Sequence, residues 1–171
     1  MTDPDLRPES APDHRNVDQV TRAAADRGLS IRVQRFPAGT RTAQDAARAV
    51  GCDVAQIVKS LVFVADGQVV IALVSGADRL DTGRLAAVLS ANSVRRANAD
   101  EAREATGYAI GGIPPLGHAS AVPVVIDEHL LDHGTVWAAA GLPDAVFAVS
   151  PADLARAAAA RVAAVASDRE D

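Results

Sequence analysis

Residues Gln56-Ile57-Val58-Lys59-Ser60-Leu61-Val62-Phe63-Val64 read as a β-strand that is apolar on both faces. A strand of that kind has to be covered on two sides. It nevertheless carries the chain's only lysine, Lys59, against sixteen arginines. Lysine is a compact ammonium on a flexible stem, whereas arginine is a planar fork, so the two do different work. On a period-2 reading Ile57, Leu61 and Phe63 share the face of Lys59. An ammonium there must be paired or must open into a cleft, because burying it bare costs many kcal/mol. The plain alternative is a lysine at a strand edge whose stem snorkels to water. The arginine bias and the strand context favour a functional lysine.

At 171 residues the chain is expected to form one domain with a real core. Aromatics are scarce, so that core must be mostly Val, Leu, Ile and Ala. Cys52 is the only cysteine, which excludes an internal disulfide and a cysteine-based zinc site and fits a reducing cytoplasm. No apolar run reaches membrane-spanning length, and no signal-peptide core is evident. The net charge of −5 argues against a long nucleic-acid grip, so any such contact should be local. Arg79, Arg84, Arg95 and Arg96 would supply such a patch, or else a solvated surface.

The polar, Pro-rich residues 1–13 are expected to be a disordered tail, residues 14–166 the domain, and 167–171 a frayed end. Within the domain, residues 14–28 read as a helix stopped by Gly28, and 31–36 as a half-buried strand. Thr42-Ala-Gln-Asp45 reads as a capping box opening a helix closed by Gly51. Asp66-Gly67 is a hairpin signal joining the Lys59 strand to 68–75. Helices are expected from Asp81 to Leu89 and from Asn98 to Gly107. Strands are expected at 122–126, 135–140 and 145–149, and Ser150-Pro151 opens a final Ala-rich helix. Hairpins, crossovers and short helices together predict a mixed α/β (α+β) fold: a mixed sheet with helices packed around it.

The loop Thr106-Gly-Tyr-Ala-Ile-Gly-Gly-Ile-Pro-Pro-Leu-Gly-His118 is the second strong feature. Gly111 and Gly112 free the backbone and remove side chains that would block a ligand. Pro114-Pro115 stiffens the rest of the loop, and long loops without regular structure tend to be functional or mobile. His118 reads equally as a general base or as a histidine bonded to backbone to hold the loop. Trp137 is either core or, with Ala139-Ala140-Gly141, the wall of a tight pocket. His129 and His133 have i,i+4 spacing, but no third ligand is evident, so no metal site is expected. Asp127-Glu128 reads as a turn or helix cap, and Cys52 as an inert thiol.

Lys59-Ser-Leu-Val-Phe63, the 106–118 loop, Val124-Val-Ile-Asp127, Ala139-Ala-Gly141 and Ser150-Pro-Ala-Asp-Leu154 succeed one another in the order of one family. The chain resembles the YbaK/ProX aminoacyl-tRNA deacylases, related to the editing domain of bacterial prolyl-tRNA synthetases, over roughly residues 20–160. The resemblance implies a partly barrel-like mixed sheet ringed by helices. It implies hydrolysis of the ester joining a wrong amino acid to the tRNA 3′ end, with no cofactor. It implies a catalytic Lys59 and a positioning loop at Gly111, Gly112 and Pro114. Ser60, Tyr108, Ile113, Gly117, His118, Ala140 and Gly141 are the further expected substrate contacts. Two departures stand out: Ala139-Ala140-Gly141 lacks the histidine or polar residue some relatives carry, and Ser60 replaces threonine or asparagine.

With no obvious nucleophile, attack by water is the simplest chemistry. The small residues at 139–141 suggest a small amino acid (alanine, serine, cysteine or 2-aminobutyrate), on tRNA for proline by the resemblance. The expected partners are the tRNA acceptor end and an aminoacyl-tRNA synthetase. Rival readings are a non-catalytic module binding an aminoacyl end or a synthetase, and a hydrolase of unrelated small esters.

Overall fold

The computed structural model describes residues 11–36 and 42–167. Its centre is the expected hairpin. Strands β2 (Val58–Ala65) and β3 (Gln68–Ser75) pair antiparallel in register from Val58 opposite Ser75 to Ala65 opposite Gln68. Asp66 and Gly67 both take positive φ, the twist a two-residue hairpin needs. The Asp66 carboxylate also accepts from the amides of Asn92 and Ser93.

Short strand β4 (Val94–Arg96) pairs with the far half of β2, opposite Phe63–Ala65. On the other side β5 (Val124–Asp127) runs parallel to β3, and β8 (Arg161–Ala163) parallel to β5. The five-stranded order is β4-β2-β3-β5-β8. A second sheet, β1-β7-β6, comprises β1 (Val33–Arg35), β7 (Ala145–Val149) and β6 (Val136–Ala139), all antiparallel. The sheets meet where Ile57 bridges Trp137, which gives the partly closed form expected from the sequence.

Among the described residues, five helices surround the sheets: α1 (Ala11–Asp26), α2 (Ala43–Val50), α3 (Thr82–Leu89), α4 (Ala99–Thr106) and α5 (Pro151–Ala157). Their ends are set by local chemistry. Thr42 with Asp45, and Asn98 with Glu101, form capping boxes, and Asp81 and Ser150 cap α3 and α5. Helix α1 buries Val20 and Ala24 completely in a core shared with Val62, Ile71, Phe147 and Leu154. The opposite face of the hairpin, Phe63, Val70, Ala72 and Val74, packs a second core that includes Leu85 of α3.

Three features differ from the sequence reading. Helix α1 already includes Ala11, the first described residue, upstream of the expected start; residues 1–10 of the expected tail lie outside the described residues. Strand β4 was not expected, because two arginines in three residues mask its pattern; such charges suit an edge strand. The last helix is short. It ends at Ala157, and Ala159 turns left-handed (φ 51°) while the Ala160 amide returns to Ala155 O. The chain then extends as β8, so sheet pairing overrides the helix propensity of its alanines. Ser167 is held by its amide on Arg79 O, and 168–171 lie outside the described residues.

A left-handed Ala159 costs roughly 1–2 kcal/mol that glycine would avoid, partly offset by glycine's greater entropy in the unfolded chain. Ala159→Gly should therefore raise stability by about 0.5–1 kcal/mol in urea unfolding. An unchanged midpoint would show that the turn is not strained.

Candidate active site

Main-chain groups of a strand alternate between its two edges. Ile57 O accepts from Gly76 N on the β3 side, and Val62 O accepts from Ala97 N on the β4 side. Ser60 shares the parity of Val62, so its N–H and C=O point away from β3. Strand β4 ends before reaching it, and the contact with β6 is made at Ile57. Among the described residues, no strand pairs with the edge of β2 at Ser60, between the two junctions.

A cavity of about 280 Å³ opens at this gap. Its walls include Ile57 to Val62 of β2, Arg96 and Ala97 beyond β4, Ile110, Gly111 and Ile113 of the long loop, and Trp137, Ala139 and Val146 of the second sheet. Thr42, Ala43 and Ala46 of α2 complete it. The walls are mostly apolar, with a few polar groups converging, as is usual for a small-molecule site.

Lys59 is half-buried at this wall, and its Nζ donates to the main-chain oxygen of Asp78 at 2.6 Å. Burial pushes the amine below the ordinary lysine pKa; Asp78 pulls it back up, and Arg96 and Arg79 push it further down. Ser60 Oγ is screened from solvent and has no hydrogen-bond partner among the described residues. An orphaned hydroxyl at a cavity wall is a ready contact for a polar ligand.

The loop reaches the cavity through Ile110, Gly111 and Ile113, and Ile110 is 53% exposed at its mouth. Gly111 has φ +101°, which suits glycine. Gly112 is needed for a different reason. A Cβ there would sit 2.7–2.9 Å from the Leu142 backbone, so the bare main chain packs the loop onto the second sheet.

Other expected contacts lie behind the wall. Tyr108 and Pro114 are buried, and Ala140 belongs to the main core, because strand alternation turns Trp137 and Ala139 to the cavity and Ala138 and Ala140 away. Gly117 packs against Ala23 of α1, and Gly141 O accepts from Asn16 Nδ2. His118 holds the loop: its Nε2 donates to Pro114 O at 2.8 Å. Burial pushes its pKa down, Arg27 adds to that, and the bond to Pro114 opposes it. Lys59, Ser60, Gly111 and Ile113 thus meet at one cavity, whereas Tyr108, Gly112, Pro114, Gly117, His118, Ala140 and Gly141 do not line it.

Of the four arginines close in sequence, Arg95 is bound by two contacts to Glu101, holding that carboxyl down to about 2, and Arg84 donates to Ala166 O. Arg96 lies over the Phe63 ring, 5.7 Å from its centre, and lines the cavity. Cys52 has its thiol pKa raised, chiefly by burial and then by Asp53. Asp127 caps the 3-10 turn 128–132, as expected.

Sequence reasoning missed the grouping of Asp78, Asp127 and His129, whose donor atoms lie within 4.8 Å of one another. Only the fold brings the turn after β3 to the end of β5. Asp127 Oδ1 accepts from Val165 and Ala166 amides, its Oδ2 from His129 N, and Asp78 Oδ2 from His129 Nδ1. With those lone pairs engaged, the three residues form a hydrogen-bond network rather than an open ligand set.

A mixed α/β domain with a strand lysine and a glycine loop around one edge cavity defines a class, and the comparisons agree with it. A model of the aminoacyl-tRNA editing domain matches residues 37–157. The proline–tRNA ligase of Lactobacillus gasseri is 44% identical over 73 residues, 43% of this chain and 13% of the ligase. The chain therefore matches only a small part of that enzyme's length. Protein YwhH of Bacillus subtilis, itself uncharacterised, is 30% identical over 122 residues, 71% of this chain and 78% of YwhH. A crystal structure of a candidate trans-editing enzyme for prolyl tRNA synthetase superposes with a TM-score of 0.85 at 44% identity, covering 90% of this chain and 98% of that one.

The chain belongs to the aminoacyl-tRNA editing domain family, in its YbaK/ProX branch. Among the described residues, no helix is long and apolar enough to cross a membrane.

Two outcomes test this geometry. Gly112→Ala should lower stability by about 1–3 kcal/mol in denaturant unfolding, since the clash is with backbone. His118 is favoured neutral in the fold. Its contribution is therefore complete above the ordinary histidine pKa of about 6.5 and is lost as pH falls below it. Unfolding at pH 7.5 and 5.5 should show a larger loss in the wild type than in His118→Gln.

Proposed function

We propose that the chain is a trans-editing deacylase. It would hydrolyse the ester between a small amino acid and the 3′-terminal ribose of a mischarged tRNA. The observation that carries this reading is Lys59, a half-buried amine fixed at the wall of a cavity that Ser60 and Gly111 also line. Family membership supplies the reaction class. Similarity to proline–tRNA ligases and to the candidate trans-editing structure supports tRNA for proline as the carrier.

In this mechanism a water oxygen attacks the ester carbonyl carbon, and charge develops on the carbonyl oxygen. The carbon–oxygen bond to the ribose then breaks. One water proton goes to the leaving ribose oxygen, the other is released to solvent, and the amino acid departs as a carboxylate. The Lys59 ammonium stabilises the developing negative charge or holds the ribose end. Main-chain groups at Gly111 and at the open edge by Ser60 orient the aminoacyl group. Arg96, stacked on Phe63 at the rim, faces the terminal phosphate.

The walls at Ala139, Val146 and Ile57 favour a small side chain such as that of alanine, serine, cysteine or 2-aminobutyrate. A pocket resolves one methylene by only about 1–3 kcal/mol, so several small residues should be accepted. Contact with tRNA is expected to be confined to the acceptor end, given the chain's net charge of −5, and a synthetase partner would supply the rest of the grip.

Purified mischarged tRNAs provide the test. The wild type should release small amino acids and spare large aromatic ones. Lys59→Ala should lose activity while keeping its melting temperature, and Lys59→Arg should fail too, because a fork cannot replace a point charge. Full activity in Lys59→Ala would remove the assignment. Arg96→Gln should raise KM and reduce the slope of log KM against log salt by about one phosphate contact's worth.

A further inference from the structure

The turn after β3 is clamped from several sides, and its tip holds Lys59. Ser75 Oγ donates to Ala55 O and accepts from Ala77 N, Asp78 N returns to Ser75 O, and Arg79 O receives Ser167 N. The Asp78 side chain is fully buried, yet it is a carboxylate. Its Oδ2 meets His129 Nδ1 at 2.8 Å. A carboxylate only accepts, so the imidazole donates from Nδ1. His129 is itself placed by Asp127, whose Oδ2 takes the His129 amide at 3.1 Å and lies 3.4 Å from Nδ1. Asp127 in turn is anchored by the amides of Val165 and Ala166 at 2.9 Å each.

Two buried carboxylates and a histidine are a costly way to pin one turn, since a well-packed apolar contact avoids the desolvation. Their location gives them another use. Asp78 carries the carbonyl that receives Lys59 Nζ, and its charge favours the ammonium. Arg96, Arg79 and burial all oppose that charge.

We propose that Asp78 and His129 are positioning residues for Lys59: His129 fixes the Asp78 carboxylate, and Asp78 fixes both the place and the charge of the amine. This deepens the reading above and rests on Lys59 acting on the substrate. Among the described residues, Asp78 and Asp127 are charged groups facing His129, and Asp78, Arg79 and Arg96 face Lys59. Neither positioning residue lines the cavity.

Because Lys59 is the only lysine, protein labelled with 13C-lysine yields one Cε–Hε resonance set, whose pH titration reports this amine alone. Asp78→Asn keeps an acceptor for His129 but removes the charge, so the titration midpoint should fall. His129→Ala frees the carboxylate and should move the midpoint the same way. His129→Asn, whose amide donates from near the Nδ1 position, should restore it. In deacylation, His129→Ala should lower kcat about tenfold with KM within about twofold, and the pH–rate profile should move with the midpoint. Thermal melts establish that each variant is folded; if His129→Ala is not, Asp78→Asn and His129→Asn decide the matter. Unshifted midpoints in folded Asp78→Asn overturn the proposal. Shifted midpoints in a protein without deacylase activity would uphold this coupling and sink the editing reading, so the two failures are distinct.

Discussion

An amine set in a strand between two apolar cores creates a problem that the surrounding structure has to solve. The solution is one short hydrogen bond, from Lys59 Nζ to the carbonyl of Asp78. Without a fixed acceptor, the ammonium would swing to water or lose its proton, because desolvation already opposes its charge. The acceptor must therefore be rigid. Its rigidity comes from a turn tied to the 3-10 segment before β2, to the residues after β8 and, through His129, to the end of β5. The amine is stiff because three separate parts of the chain agree on where one carbonyl sits.

The cavity beside it exists because a ladder is left unfinished. Strand β2 pairs along its whole length with β3, but its other edge is covered only in part, by β4 at one end and by β6 at the other. An unpaired strand edge usually invites aggregation. Here it is sheltered by the glycine loop and by α2, and what remains is a mostly apolar recess with Lys59 and Ser60 in its wall. The same gap that would be a defect in a purely structural sheet becomes a place where a polar ligand end can lie alongside a strand.

Much of this was legible in the chain. The capping boxes at Thr42 and Asn98, the Asp66-Gly67 turn and the Lys59 strand are local signals, and they read directly. So did the pairing of Lys59 with the Gly111 loop, by resemblance. What was not legible depends on tertiary context. Helix propensity carried the final alanines past Ala157, and only contact with β5 turns them into β8. The two arginines of β4 hid a strand. For the site, seven expected residues do not line the cavity: strand alternation turns Ala139 in and Ala140 away, Gly112 packs on Leu142, and Gly117 and Gly141 meet α1. Asp78 and His129 lie 51 positions apart and carry no joint pattern in one dimension.

The way β5 and β8 close the sheet also governs how such a chain can be made. Both buried amide contacts of Asp127 come from residues 165 and 166, and β1 cannot find β7 until residue 145 has been synthesised. A nascent chain emerging from the ribosome thus exposes the apolar β2–β3 ribbon long before its closing segments arrive. The architecture commits this domain to late closure.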